Sequence, residues 1–159
     1  MSYRLILHAT AVDEIGALPK TIKPRVKAAI DGLGNAVAVW EWSFDGGPQQ
    51  VISVAFVAGA GWNPPVAVQA TPGFYQYHPK IAAAGNGIFY VAWDENAPMT
   101  NYRARLARFT LDGGWEAAVT VSGGETAGTT LLSADLWGNV VVAWPTPYPP
   151  CCGRKCCGT

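Results

Sequence analysis

The sequence predicts an all-β protein built from three repeated units, each with four antiparallel strands arranged like a β-propeller blade. One apolar segment occurs three times and ends each time in a tryptophan, at Trp40, Trp93 and Trp144, which lie 53 and 51 residues apart. A period near 50 residues with short β runs is typical of propeller blades or a similar β array. The 18 glycines and 12 prolines are spread along the 159 residues, as turns between many short strands require.

Each unit begins with an apolar strand, a turn rich in glycine and asparagine, and a second strand that ends in the repeated tryptophan. Glycine and asparagine tolerate positive φ, so these turns are predicted to close β-hairpins. The second strands are almost continuously apolar, which is expected of strands buried on both faces. The predicted first strands are residues 24–30, 79–84 and 130–134, and the turns are residues 31–35, 85–87 and 135–139.

The second half of each unit contains a polar loop, a third strand, a turn with a second tryptophan and a short fourth strand. Trp62 and Trp115 mark this turn and are again 53 residues apart. Residues 3–22 loosely repeat this half, so the chain is expected to start at the third strand of a unit and to join the strand that ends at Trp144. The predicted third strands are residues 50–56 and 102–109, and the fourth strands are residues 66–68 and 119–121.

Residues 1–146 are therefore predicted to form one repeat domain, and residues 147–159 a disordered Pro/Cys-rich tail. All four cysteines lie in this tail, in two adjacent pairs that lack the C-x2-C spacing of common zinc sites. The sequence leaves three alternatives open: a thiolate site for a soft metal such as zinc, disulfide bonds, or an end with no folded role. The four are Cys151, Cys152, Cys156 and Cys157.

The overall composition argues against nucleic-acid and membrane partners. The formal net charge is zero and 14% of the residues are charged. The densest basic cluster is Arg103, Arg105 and Arg108, which we interpret as a solvated strand face rather than a nucleic-acid site. No apolar run reaches the roughly 18 residues of a membrane span, and the N-terminal ten residues do not have the pattern of a signal peptide.

The repeated features resemble the bacterial β-propeller repeats of the sialidase-like (BNR-related) group over roughly residues 1–145. The resemblance rests on the Asp-x-x-Gly-Asn turn, the Ala-Val-Trp strand end and the Gly-Gly-Trp turn. It implies a propeller fold and an extracellular location. The full Asp-box consensus is absent from every copy, and the catalytic arginines, nucleophile pair and acid of a sialidase cannot be placed on this chain.

Three blades are too few for a closed propeller, which has about four to eight. The sequence therefore leaves three architectures open. The chain is part of a longer propeller, half of a dimeric six-bladed ring, or a compact three-unit array with exposed edges.

Aromatic residues that break the repeat are the candidate ligand-binding residues. The repeated tryptophans are assigned to packing, because they recur in equivalent positions. The non-repeating aromatics are predicted to lie in loops, where stacking on a glycan is the functional interpretation and a hydrophobic lid or an oligomer contact is the alternative. They are Trp42, Tyr75, Tyr77, His78 and Trp137.

Carboxylates are sparse, and three of them follow the repeated tryptophan. Glu41, Asp94 and Glu95 are expected near one rim, where two acids could serve glycoside hydrolysis or where the loop is simply solvated. His8 and His78 are isolated from any metal motif or catalytic triad, and no phosphate-binding loop or other cofactor motif is present.

Three functional hypotheses follow from these features. The first is a non-catalytic binding or structural module with a glycan as the candidate ligand. The second is a remnant of a sialidase-like glycoside hydrolase. The third is a self-assembling protein, for example a homodimer, in which blades of different chains pair.

Overall fold

The computed structural model describes residues 26–43, 45–69, 71–123 and 129–146. Throughout these ranges the chain is all-β, its strands pair in antiparallel fashion, and no helix occurs. The predictions made for the N-terminal 25 residues and for the cysteine tail lie outside the described residues.

Sheet 1 is formed by the first part of the described chain. Three long neighbouring strands are followed by two short segments that both pair with β3. The strands are β1 (Lys27–Ile30), β2 (Ala36–Trp42), β3 (Gln50–Val57), β4 (Gly61–Trp62) and β5 (Val66–Ala67).

Sheet 2 repeats this arrangement with longer strands. Its first three strands are neighbours, and two short segments again share one edge, on β8. The strands are β6 (Tyr75–Ala83), β7 (Ile88–Asn96), β8 (Arg103–Thr110), β9 (Gly114–Trp115) and β10 (Val119–Thr120).

Sheet 3 is a hairpin of β11 (Leu131–Ala134) and β12 (Val140–Ala143). The all-β antiparallel class predicted from the sequence is thus confirmed. Within the described ranges, the three sheets do not close into a barrel or a ring.

The edge of sheets 1 and 2 differs from the prediction of one short fourth strand. The chain pairs briefly at the second tryptophan, leaves the ladder, and pairs again as β5 or β10. In sheet 1 the break contains Pro64 and Pro65, which have no N–H to donate to a ladder. The edge strand is divided into two segments in both sheets, and in sheet 2 the break at residues 116–118 contains no proline.

The hairpin turns of sheets 1 and 3 have the same construction. The Oδ1 atom of Asp31 accepts the backbone N–H groups of Leu33 and Asn35 at 2.9 Å. The Oδ1 atom of Asp135 accepts the equivalent N–H groups of Trp137 and Asn139 at the same distance. These bonds confirm the predicted turns and explain why an aspartate begins both of them.

Each sheet has two distinct faces. We call the face that carries the repeated tryptophan the tryptophan face, and the other one the opposite face. The opposite face of sheet 1 packs on the tryptophan face of sheet 2, and the core lies between them. Val37, Val39 and Phe89 are fully buried there, and burying such a side chain contributes about 1.5–3 kcal/mol. Trp93 is also fully buried, as its packing assignment predicts.

Trp115 connects the same two sheets through its indole. Its Nε1 atom donates a hydrogen bond to Ser53 Oγ at 2.8 Å, and its ring lies 5.0 Å from the ring of Phe109. The second tryptophan of this unit therefore packs between neighbouring sheets.

The opposite face of sheet 2 packs in turn on sheet 3. Tyr90 donates its hydroxyl to the carbonyl of Gly138 at 3.2 Å, and Thr130 donates its hydroxyl to Asp94. Along both strands of sheet 3, half-buried residues such as Leu132 alternate with exposed ones such as Val141. The three sheets thus form a stack in which every contact joins an opposite face to a tryptophan face.

Candidate functional site

Most of the sequence-predicted site residues lie at one end of the stack, away from the hairpin turns. We call this end the rim. It consists of the last residues of β2 and β7 and the first residues of β6 and β8. Here Glu95 faces Gln76 on one neighbouring strand and Arg103 on the other.

The rim residues lie in strands and not in the loops predicted for them. Tyr75 pairs with Asn96, and Tyr77 pairs with Asp94, so β6 begins earlier than expected. The ladder continues because the register shifts between Tyr77 and Lys80, which accommodates a proline within the strand. Glu41, Trp42, Asp94 and Glu95 likewise belong to the ends of β2 and β7.

Four rings form an aromatic cluster at the rim. Tyr75 and Tyr77 are nearly parallel, with ring centroids 6.2 Å apart and planes at 7°. Tyr102 meets Tyr77 edge-on at 6.0 Å, and the ring of His78 lies 6.1 Å from that of Tyr77. The tyrosines are half-buried, whereas the His78 side chain is 52% exposed. The aromatic cluster is therefore defined as Tyr75, Tyr77, Tyr102 and His78.

Tyr102 was not among the predicted site residues, although the sequence contained a signal for it. It immediately precedes β8, whose first residues pair with the last residues of β7. That register brings Tyr102 to the same end of the sheet as Tyr77, and hairpin pairing alone could have indicated this.

The surroundings of Tyr77 raise the pKa of its hydroxyl. Burial raises the pKa of Tyr77 above its ordinary value, and the neighbouring Tyr102, Tyr75 and Glu41 act in the same direction. Like any tyrosine hydroxyl it is protonated at neutral pH and can donate a hydrogen bond, and the raised pKa extends that state to higher pH.

Two carboxylates after the repeated tryptophans join each sheet to the next. Glu41 in sheet 1 accepts the backbone N–H of His78 in sheet 2 at 2.7 Å. Asp94 in sheet 2 accepts the backbone N–H of Thr129, which precedes sheet 3, at 2.6 Å. His78 and Thr129 occupy equivalent positions, 51 residues apart, and both have positive φ, at 53° and 65°. The same carboxylate contact thus supports a strained backbone residue in two successive sheets.

Asp94 is fully buried and has further partners. Its Oδ1 atom accepts the Thr130 hydroxyl at 2.5 Å, and its Oδ2 atom lies 3.1 Å from Nδ1 of His78. The interpretation of Asp94 as part of a solvated loop is therefore wrong. Strand pairing places this carboxylate inside the contact between sheets 2 and 3.

Glu95 is also fully buried, but on the other face of sheet 2. Its Oε1 atom accepts two bonds from Arg103, at 2.9 and 2.5 Å, and lies 3.5 Å from Nε of Arg105. Its Oε2 atom accepts Nε2 of Gln76 at 3.2 Å, and Gln76 Oε1 accepts the Val51 N–H of sheet 1. This network joins sheets 1 and 2 at the rim.

Two sequence interpretations are corrected by the Glu95 network. Arg103 and Arg105 do share a strand face, but it is the face turned toward sheet 1, and their side chains are only 32% and 14% exposed. Burial lowers the pKa of Arg105. The neighbouring Glu95 partly offsets this shift, and Arg103 adds to it. Asp94 and Glu95, being consecutive in a strand, point to opposite faces and do not form an acid pair.

The remaining two predicted site residues lie away from the aromatic cluster. Trp42 is on the tryptophan face of sheet 1, while Tyr75 and Tyr77 are on the opposite face of sheet 2, so two sheets separate them. Trp137 is 87% exposed in the turn of sheet 3, which contacts the hairpin-turn end of sheet 2 near Gly85. That end lies roughly 20 Å along β6 from His78.

The described part of the chain contains no cluster of three or more histidine, cysteine, aspartate or glutamate residues that could hold a metal ion. Among the same residues, no helix is long and apolar enough to span a membrane. No protein-family model, curated protein or solved structure matches this chain. The resemblance to sialidase-like repeats therefore stays a prediction.

Proposed function

We propose that the three sheets are propeller-type blades and that the chain is a non-catalytic module that binds a carbohydrate on the aromatic cluster. The observation that carries the carbohydrate proposal is the parallel pair of Tyr75 and Tyr77, with a third tyrosine and a half-exposed histidine beside it.

The repeated inter-sheet geometry supports the blade interpretation. Glu41 and Asp94 make the same backbone contact to successive sheets, and the sheets stack in one direction. Blades of a propeller repeat their packing in this manner, because each blade needs a neighbour on both faces.

The chemistry of the aromatic cluster suits sugar rings. Tyrosine rings present flat apolar surfaces, while their hydroxyls and the imidazole can exchange hydrogen bonds with sugar hydroxyls. The rim carries three carboxylates, of Glu41, Asp94 and Glu95, and two guanidinium groups, of Arg103 and Arg105. This excess of negative charge would repel an acidic oligosaccharide, so we favour a neutral one.

The state of the carboxylates supports a role without catalysis. A retaining or inverting glycosidase needs two carboxyl groups on either side of one glycosidic bond. Asp94 and Glu95 are fully buried, face opposite sides of sheet 2 and accept internal hydrogen bonds. Glu41 accepts the His78 N–H and the Gln49 side chain.

The proposal can be tested with a glycan array followed by titration calorimetry on the best neutral ligand. We expect Tyr75→Ala and Tyr77→Ala to weaken binding about tenfold or more, since a truncated aromatic anchor commonly costs 2 kcal/mol or more. Trp137→Ala is the matched control, because Trp137 is an exposed aromatic at the other end of the stack. Each variant is first checked for an unchanged urea midpoint.

Tyr77→Phe separates stacking from hydrogen bonding, because it keeps the ring and removes the hydroxyl. An array without hits, or binding that is unchanged in both alanine variants, would contradict the carbohydrate proposal. Loss of binding in Trp137→Ala alone would move the site to the turn of sheet 3.

A further inference from the structure

Two sheet faces at the ends of the stack are not covered by another sheet in the described residues. One is the tryptophan face of sheet 1, and the other is the opposite face of sheet 3. On sheet 3 the exposed residues are apolar or small, and Leu131 and Val141 are 58% and 66% exposed. Ser133 and Ala143 pair with them and complete this face.

The open face of sheet 3 is the repeat equivalent of a face that is already packed within the chain. Val141 and Ala143 occupy the positions of Val37 and Val39, which are fully buried against sheet 2. Sheet 3 therefore presents the kind of surface that a tryptophan face covers elsewhere in the same molecule.

The open face of sheet 1 is likewise the equivalent of the tryptophan face of sheet 2. Trp40 and Phe56 correspond to Trp93 and Phe109, which form the core with sheet 1. The two open faces are thus the two halves of the inter-sheet contact that the chain already makes.

The open face of sheet 1 is more apolar than its counterpart in sheet 2. The positions of the fully buried Glu95 and the largely buried Arg105 in sheet 2 are occupied in sheet 1 by Trp42 and Ile52. Trp42 is 48% exposed and borders an open groove of about 330 Å³. The groove is lined by Trp40, Trp42, Ile52, Pro65, Val66 and Ala67.

We propose that the opposite face of sheet 3 in one copy packs on the tryptophan face of sheet 1 in a second copy. The contact continues the order of faces seen between sheets 1 and 2 and between sheets 2 and 3. It joins different surfaces of two identical chains, so it is heterologous, and two such joints close a ring of two copies with six sheets. The aromatic cluster takes no part in this joint, so the inference does not depend on carbohydrate binding.

The orientation of the joint is carried by its apolar residues rather than by its polar groups. Asp31 accepts the N–H of Gly87 across the contact between sheets 1 and 2, at 2.8 Å. Asp135 repeats the Asp31 turn, but the Gly34 N–H, which corresponds to that of Gly87, already donates to the Asp31 carbonyl at 3.2 Å. Pro145 of sheet 3 is the repeat equivalent of Glu41 in sheet 1 and Asp94 in sheet 2. The joint therefore lacks the rim carboxylate and relies on apolar contact.

The test is the solution mass of the full chain by light scattering coupled to size exclusion, with reductant present to exclude bridges through the cysteines. We expect a dimer that dissociates on dilution. Val141→Glu and Trp42→Glu, one on each open face, should each weaken dimerisation about a hundredfold, because each places a charge in an apolar contact. Met99→Glu is the matched control, since Met99 is fully exposed in a loop away from both faces.

Mixing the two variants gives the sharpest result. A Val141→Glu chain and a Trp42→Glu chain can still form one intact joint, so the mixture should dimerise more strongly than either variant alone. A monomeric wild-type chain, or a dimer that responds to only one of the two variants, would overturn the proposal. A response to one variant alone would indicate that like faces pair.

Discussion

Replacing Asp31 with alanine is expected to destabilise the protein by about 3 kcal/mol, because this carboxylate holds both its own turn and the next sheet. It is buried and accepts four hydrogen bonds of 2.8–2.9 Å. Two come from backbone N–H groups in the turn and one from the Asn35 side chain. The fourth comes from Gly87 in the hairpin turn of sheet 2.

The magnitude follows from which donors water can reach after the substitution. Leu33 is exposed, so its N–H can be rehydrated, whereas Asn35 and Gly87 are buried. A buried donor left without a partner costs about 1–3 kcal/mol. Three such donors, two on Asn35 and one on Gly87, give about 3–9 kcal/mol, and water entering the space of the lost carboxylate places the expected value at the bottom of that range.

Urea denaturation followed by tryptophan fluorescence measures the effect, with Asp135→Ala as the matched control. Asp135 makes the same turn bonds, but its partners Trp137 and Asn139 are exposed and can be hydrated. We therefore expect a clearly smaller loss for Asp135→Ala. Equal losses in the two variants would refute the argument, because the contact to sheet 2 would then contribute nothing.

The contribution of Asp31 also depends on pH. Burial acts to raise the pKa of Asp31, but the hydrogen bonds from Asn35, Leu33 and Gly87 outweigh it, and the pKa lies below its ordinary value. The stabilisation is therefore complete above the unfolded-state pKa of about 3.9 and is lost as pH falls through the lower folded-state pKa. The stability difference between the wild type and Asp31→Ala should be constant from pH 7 to 5 and shrink below pH 4. A difference of unchanged size from pH 5 down to pH 2 would contradict this assignment.

Two further substitutions, each with a matched control, test a tight turn of sheet 2 and the contact between sheets 1 and 2 by urea denaturation. Gly87→Ala should lower the free energy of unfolding by about 3 kcal/mol, because φ is +73° and the new Cβ would lie 2.8 Å from the side chain of Leu111. Gly114→Ala is its control: φ is also +73° but the new Cβ would meet no atom within 4 Å, so the loss should be only about 1–2 kcal/mol. Glu95→Ala should cost about 2–3 kcal/mol, since it leaves the partly buried Arg103 without its carboxylate. Glu116→Ala removes a solvent-exposed ion pair and should leave the midpoint unchanged, so equal effects of the two glutamates would contradict the buried network.

The repeat made the strands and the hairpin turns predictable from the sequence. The spacing of Trp40 and Trp93, with the Asp31 turn before the first of them, was sufficient to place β1, β2 and β7 on apolar runs. The prediction failed for residues 75–78, because a histidine followed by a proline resembles a loop. In the structure a register shift absorbs these two residues and the strand continues.

The candidate site was less predictable, because it depends on which strand faces which. The sequence indicated that Glu41 and Asp94 follow the repeated tryptophan, but the residues that they contact are 37 and 35 positions further along the chain. Burial of Asp94 requires the segment before sheet 3 to cover it. A periodic pattern gives the face on which a residue lies, but it does not give its partners in the next sheet.

Three carboxylates that accept backbone N–H groups between sheets all act in the same direction along the stack, so its two ends are unlike. Glu41, Asp31 and Asp94 are acceptors on one sheet for N–H groups on the sheet that follows. A pairing of like faces would bring together two faces of a kind that do not meet between the described sheets. In a head-to-tail contact, the apolar residues and Asp135 of sheet 3 meet a tryptophan face. Within the chain, the equivalent residues of sheet 1 also meet a tryptophan face, that of sheet 2. The order of faces within the chain therefore favours the heterologous joint over a symmetric contact through either open face.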